Sequence, residues 1–174
     1  SVSDKMQVIL DAFDNSDEGL AIWDQDDILV GFNKKYSKIF SRNMLSDAHI
    51  GLNFKSSYKE ALKNPKSILN KKDVEERFAL REQARKDKKP IVREFHLDGV
   101  WFHIKETPSN DRHIITFISD ITESKKSSEM QTRLSSAIDS IPSHVMFWDK
   151  DEKLIKANEL AIEENLSDGI KLKE

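Results

Sequence analysis

Cysteine is absent from the 174 residues. That excludes disulfides, thiolate-ligated zinc and any cysteinyl adduct with a bound flavin, and it fits a reducing cytoplasm. Glycine is scarce, with five residues, and none of them approaches the GxxxxGK[ST] spacing of a phosphate loop. No HExxH occurs, and no run comes near the roughly 20 apolar residues of a membrane span. A large excess of positive charge is also missing: the formal net charge is −3, which argues against a broad nucleic-acid footprint. What is present is 34% charged residues, nine Phe and three Trp, enough aromatic mass for one core surrounded by charged, solvated helices. The basic clusters Lys71-Lys72 and Arg85 to Lys89 alternate with acids and read as solvated helix faces. The acid pairs Asp26-Asp27 and Glu75-Glu76 are likewise assigned to solvent, in a turn and on a charged helix. The chain begins with Ser and shows no signal peptide, so we read it as a piece of a longer protein.

An internal repeat organises the chain. Ala12 to Tyr36 aligns without a gap on Ala137 to Ala161, with Ala12/Ala137, Asp14/Asp139, Trp23/Trp148, Asp24/Asp149, Asp26/Asp151, Leu29/Leu154 and Asn33/Asn158 identical. Apolar character also matches at Leu20/Val145, Ile22/Phe147 and Val30/Ile155. The first copy continues for a whole domain, whereas the second reaches Glu174 soon after the shared segment and is read as incomplete.

Hydrophobic periodicity supplies the elements. Met6, Ile9, Leu10 and Phe13 mark an amphipathic helix over Asp4 to Asp14. Gly19 to Asp24 and Ile28 to Phe32 flank the polar turn Gln25-Asp26-Asp27 as a hairpin, and Asn33 then caps a helix over Lys34 to Phe40. Asp47 to Pro65 holds short helical pieces broken at Gly51. A long helix over Ser67 to Lys89 carries one apolar stripe, Ile68, Val74, Phe78 and Ala84 or Arg85, and ends before Pro90.

Three strands follow. Ile91 to Leu97 places Ile91, Phe95 and Leu97 on one face; Asp98-Gly99 makes a two-residue turn; Val100 to Thr107 returns. His113 to Ile118 is apolar on both faces and is expected in the centre of the sheet. The result is an α+β fold, one five-stranded antiparallel sheet in the order 2-1-5-4-3 with helices on one face. A last helix opens at Asp120-Ile121-Thr122-Glu123, where Asp120 and Glu123 have capping-box spacing. It carries the seam Met130, Leu134, Ala137, Ile141. The expected divisions are a flanking helix at 1–15, a domain at 16–122, a connecting helix at 123–140 and the incomplete second copy at 141–174.

The runs GLAIWDQDDILVGFNKKYSKIF (Gly19 to Phe40), FHLDGVWFHIKETP (Phe95 to Pro108) and TFISDIT (Thr116 to Thr122) resemble the PAS superfamily of bacterial sensor proteins. The resemblance covers about residues 7 to 122, and 137 to 174 match only its opening part. It implies a sheet that cradles a small molecule, or nothing, against the helices, and an output carried by flanking helices in a dimer. Asp120, Ile121 and Thr122 match the "DIT" triplet at which many PAS cores hand over to an output helix.

The expected function is a sensory and dimerisation module that relays a change in the sheet to the helical linker. The alternative is a flavin- or haem-binding redox or gas sensor. Aromatics expected to line a pocket are Trp23, Phe32, Phe40, Phe54, Phe78, Phe95, Trp101 and Phe117, although such residues also simply fill cores. His49, His96, His103, His113 and His144 are read as surface or packed residues rather than metal ligands, because the long helix that carries the haem ligand in haem PAS domains has no His. Nothing combines nucleophile, base and oxyanion donors, so no catalysis is expected of this chain. The parent could carry a histidine kinase or a cyclic-di-GMP enzyme as its effector. The expected partners are a second copy of the chain, a possible small-molecule ligand and that downstream effector, with no nucleic acid and no direct membrane contact; the first expectation is no cofactor, with non-covalent flavin or haem the alternative.

Overall fold

A computed structural model describes residues 2–167. The chain divides into two compact units, one ending at Thr122 and one beginning at Glu123. The first holds α1 (Val2–Phe13), β1 (Glu18–Trp23), β2 (Leu29–Phe32), α2 (Lys34–Met44), α3 (Phe54–Lys63), α4 (Lys71–Asp87), β3 (Ile91–Leu97), β4 (Val100–Pro108) and β5 (Ile114–Asp120). Its sheet is antiparallel throughout in the order β2-β1-β5-β4-β3, and β5, apolar on both faces, lies at its centre. Asp98 (φ 49°) and Gly99 (φ 77°) both take left-handed backbone, the geometry of a tight hairpin that keeps the strand twist.

The two faces of this sheet have different covers. Ala21, Trp23, Leu29, Phe102, Ile104, Ile114 and Ile118 form the core with Tyr36, Ile39, Phe40 and Met44 of α2 and Phe54 and Ala61 of α3. On the opposite face lies α1. Leu10 is buried, the Phe13 ring meets Phe117 at 5.9 Å, and Met6 and Leu10 close over Gly31. Much of the apolar stripe of α1 is therefore taken up by its own sheet, leaving Val8 and Ile9 exposed. The helix expected to flank the domain thus falls within the same compact unit as the sheet.

Gly19 sits where β1 passes under α2. A Cβ there would lie 2.7 Å from Ile118 Cγ2 and 3.0 Å from the Tyr36 backbone. Backbone cannot rotate away as a side chain can, so Gly19→Ala is expected to cost about 1–3 kcal/mol by overpacking. A urea midpoint unchanged from wild type would contradict this.

The long helix differs most from expectation. It starts at Lys71 behind the cap Asn70, whose Oδ1 accepts from the Asp73 amide at 2.9 Å. Ile68 falls in the preceding loop and is exposed. The buried residues of α4 are Val74, Arg77, Arg81, Ala84 and Arg85, so the core-facing stripe is half guanidinium. Asp27 is buried as well, in a left-handed turn (φ 59°), and is not a solvated turn acid.

The second unit contains α5, which begins at the boundary (Thr122–Asp139), then β6 (Met146–Trp148), β7 (Leu154–Ala157) and α6 (Glu159–Ser167). β6 and β7 pair antiparallel with a register shift between Phe147 and Trp148, at the position equivalent to the shift between Ile22 and Trp23. The repeat is thus structural. Its consequences for burial differ: Trp23 is fully buried, whereas Trp148 is 53% exposed. Residues 168–174, the end of the second copy, lie outside the described residues.

Candidate functional site

Two features of the first unit have the geometry of function: a cavity beneath the helices and the joint where the sheet becomes α5.

The cavity measures about 590 Å³ and lies among α2, α3, the first half of α4 and β3. The volume is in the range of small-molecule sites. Ile39, Phe40, Met44, Val74, Phe95 and Leu97 supply apolar wall; Tyr36, Tyr58, Asn43, Arg77 and Arg93 supply polar groups. Of the eight aromatics expected to line a pocket, Phe40 and Phe95 do so. Trp23, Phe54, Phe32 and Phe78 are instead core: the Trp23 and Phe54 rings meet edge-on at 5.1 Å, and Phe32 and Phe78 pack against the same cluster. Trp101 and Phe117 stand on the other sheet face, Trp101 against His96 at 5.1 Å and Phe117 against Phe13.

Behind the cavity lies a buried ionic network that aromatic patterning does not reveal. Asp24 Oδ1 accepts the amides of Asp26 and Ile28, and this tightened turn aims Asp27 inward. Asp27 receives Arg81 Nη2 at 2.6 Å and Arg85 Nη1 at 3.0 Å. Arg81 bridges to Glu106 on β4, which also accepts from Thr116 Oγ1 at 3.2 Å on β5 and from Arg77 Nη2 at 3.4 Å. The Arg81 guanidinium lies 3.8 Å from the Phe54 ring centroid, a stacked cation–π contact.

Burial pushes both carboxyls up, but the arginines outweigh it. The hydrogen bond from Arg85 and the charge and hydrogen bond of Arg81 hold Asp27 below its ordinary value. The charges of Arg77 and Arg81, with hydrogen bonds from Arg81 and Thr116, do the same for Glu106. One signal was available in the sequence: positions 77, 81 and 85 of a Lys-rich helix are all Arg, spaced to fall on one face, and Arg is the cation suited to buried bidentate pairing.

The joint is held at the first residues of β4. Ile121 N–H donates to the Trp101 carbonyl at 2.8 Å, and Trp101 N–H donates to Thr122 Oγ1 at 3.0 Å. Asp120 Oδ1 accepts the Thr122 amide at 2.9 Å, and its hydrogen bonds with Thr122 hold its carboxyl below the usual range. The observed cap is thus a turn closed on the second residue after Asp120. Glu123 does not complete a capping box but pairs with Lys126 at 3.6 Å. Within α5, Met130, Leu134 and Ala137 are exposed. Ile141 is a further correction, because α5 ends at Asp139 and Ile141 follows it in a bend.

The histidines are dispersed. His96 and His103 are not directly opposed, their partners being Trp101 and Glu94, and His144 pairs with Glu164. No cluster of three His, Asp or Glu able to hold a metal occurs among the described residues, and none of their helices is long and apolar enough to cross a membrane.

This arrangement is a single-sheet α+β domain with a cavity under its helical cover and a strand that passes directly into a helix. The chain belongs to the PAS fold family, whose model matches residues 13–129. No curated protein matches it. Among solved structures, the sensor region of a sensor histidine kinase is 18% identical with a TM-score of 0.49 over 64% of this chain, which spans 41% of that one. The PAS domain of Bordetella pertussis BvgS is 16% identical with a TM-score of 0.48, covering 77% of this chain and 98% of that one. The photoactive yellow protein domain of the sensor histidine kinase Ppr from Rhodospirillum centenum is 16% identical with a TM-score of 0.40, covering 63% and 90%.

Proposed function

We propose that the chain is a non-catalytic sensory module of a bacterial signalling protein. Its cavity is the small-molecule site, and its output is a change in the packing of α5 in a homodimer. The observation that carries this reading is the joint. Ile121 and Thr122 are fixed to the Trp101 backbone on both its N–H and its C=O, so a shift of β4 against β5 is passed to the first turn of α5. The exposed line of Met130, Leu134 and Ala137 gives that helix an apolar face for a second copy. The segment after α5 is read as the opening of a second PAS domain, and the effector as a domain of the same parent protein, in the cytoplasm.

The absence of cysteine allows a clean test. A single nitroxide at Ser128→Cys reports only distances between chains. In a parallel dimer it gives one short, narrow distribution, and Leu134→Asp abolishes it. Thr122→Val removes the hydroxyl that accepts from Trp101 and is expected to broaden or displace the distribution while the dimer persists. A monomer in solution would overturn the dimer, and an unchanged distribution in Thr122→Val would overturn the relay.

A further inference from the structure

We propose that the cavity takes an organic monocarboxylate, its carboxylate held by Arg77 and Arg93 and its apolar body against Phe40, Met44 and Phe95. This rests on reading the cavity as the ligand site and adds the chemistry of the occupant.

Two arginines that line the cavity, Arg77 and Arg93, are less fully paired by hydrogen bonds than Arg81 and Arg85 of the ionic network. Arg85 is doubly paired, with Asp27 and with Glu82 at 2.9 Å, and Arg81 is shared between Asp27 and Glu106. Arg77 is buried and has only the long 3.4 Å contact to Glu106, its Nε being without a hydrogen-bond partner like that of Arg81. Its remaining neighbours are the faces of Phe54 and Tyr58, at 5.2 and 5.3 Å. Arg93 lies on the same side of β3 as Ile91, Phe95 and Leu97, half-buried, and its guanidinium makes no hydrogen bond or ion pair among the described residues. Both arginines line the cavity, and burial, and next the charge of Arg77, hold Arg93 below its ordinary value.

An anion bound by both removes that repulsion and supplies an acceptor to the Arg93 guanidinium and to the part of Arg77 that lines the cavity. The charge and shape of the site select the class. The acids of α4 that line the cavity, Asp73 and Glu76, are both exposed, and the Glu94 carboxylate is turned to the other face of β3, beside His103. Asp73 and Glu76 leave a surplus of about one to two positive charges deep in the site and place negative charge at its mouth, which disfavours a phosphate dianion. The apolar wall and the volume of about 590 Å³ call for a carbon body behind the charged head.

Calorimetry on the full chain decides it, with octanoate and hydrocinnamate as probes, each beside its neutral amide, and phenethylphosphonate as the dianion. The carboxylates are expected to bind at least about tenfold more tightly than their amides. Arg93→Gln is expected to erase most of that difference, weakening the acids far more than the amides, with the circular dichroism spectrum unchanged. Because Arg77→Gln disturbs a buried pair, the half-buried Arg93 position carries the test. Equal binding of acid and amide would overturn the anion while leaving the cavity as a ligand site. Tighter binding of the phosphonate would replace the monocarboxylate by a dianion. If none of the five compounds bound, the ligand-site reading itself would fall.

Discussion

Arg81→Met is expected to lower the stability of the first unit by about 3–5 kcal/mol, the cost of removing one member of a buried ion pair and leaving its partners charged in the interior. Arg81 is fully buried and is the residue that joins Asp27, in the β1–β2 turn, to Glu106 on β4. Without it, Asp27 keeps Arg85 and Glu106 keeps only Thr116 and the long contact to Arg77. The cation–π contact with Phe54 is lost as well, and methionine restores only the volume of the stem. Glu82→Gln is the control: Glu82 is half-exposed, and its pair with Arg85 belongs with surface ion pairs of about 0–1 kcal/mol. Urea denaturation at neutral pH separates the two. An Arg81→Met midpoint close to that of Glu82→Gln would show that the network contributes nothing.

The network also sets an acid limit. Asp27 and Glu106 both have folded-state values below the ordinary carboxylate range. The folded state therefore binds fewer protons than the unfolded state in the window between the two sets of values. Stability from these groups is fully present above the unfolded carboxylate values of about 4 and is lost as the pH falls through the lowered folded ones. In Arg81→Met this dependence should weaken, because the charge that holds both carboxyls down has gone. Wild-type and variant profiles that run parallel from neutral to acid pH would count against the assignment.

The legible parts of this fold were those in which one face of an element differs from the other, or in which both faces are plainly apolar. Ile114, Ile115, Thr116, Phe117 and Ile118 read as a central strand, and β5 is central. Asp98-Gly99 read as a tight turn and has two positive φ angles. The site was less legible for two physical reasons. Aromatic type does not say which face a side chain takes. Phe117 and Trp101 look like pocket residues, yet strand alternation sends them to the face opposite Ile118 and Phe102, and the partner of Phe117 is Phe13, far away in sequence. Hydrophobic periodicity, in turn, scores arginine as solvent-facing, so a helix that buries three guanidinium groups against two acids looks like a charged rod. The acid partners, Asp27 and Glu106, are distant in sequence from α4 and from each other, and only folding brings them to it.

Asn33→Ala is expected to cost about 3–5 kcal/mol, far more than a helix cap alone contributes. Asn33 is buried, and both ends of its amide are used twice. Oδ1 accepts the amides of Leu20 and Tyr36, each at 2.9 Å; Nδ2 donates to the carbonyls of Phe13 at 3.2 Å and Glu18 at 2.9 Å. One side chain thus fastens the end of α1, both ends of the turn into β1, and the first turn of α2. Asn33→Asp keeps the acceptor but cannot donate to the two carbonyls, so aspartate should rescue little, whereas at a simple cap the two are nearly equivalent. The repeat provides an internal comparison. Asn158 accepts from the amides of Val145 and Ala161, each at 3.1 Å, and donates to Ser143 at 2.8 Å, the same pattern 125 positions later. Identity at Asn33/Asn158 therefore reflects a shared fastening rather than chance. Amide exchange distinguishes the copies: Asn33→Ala should expose the amides of Leu20 and Tyr36, and Asn158→Ala those of Val145 and Ala161. Full protection at Leu20 and Tyr36 in Asn33→Ala would show that the backbone closes without the side chain, and the shared asparagine would need another explanation.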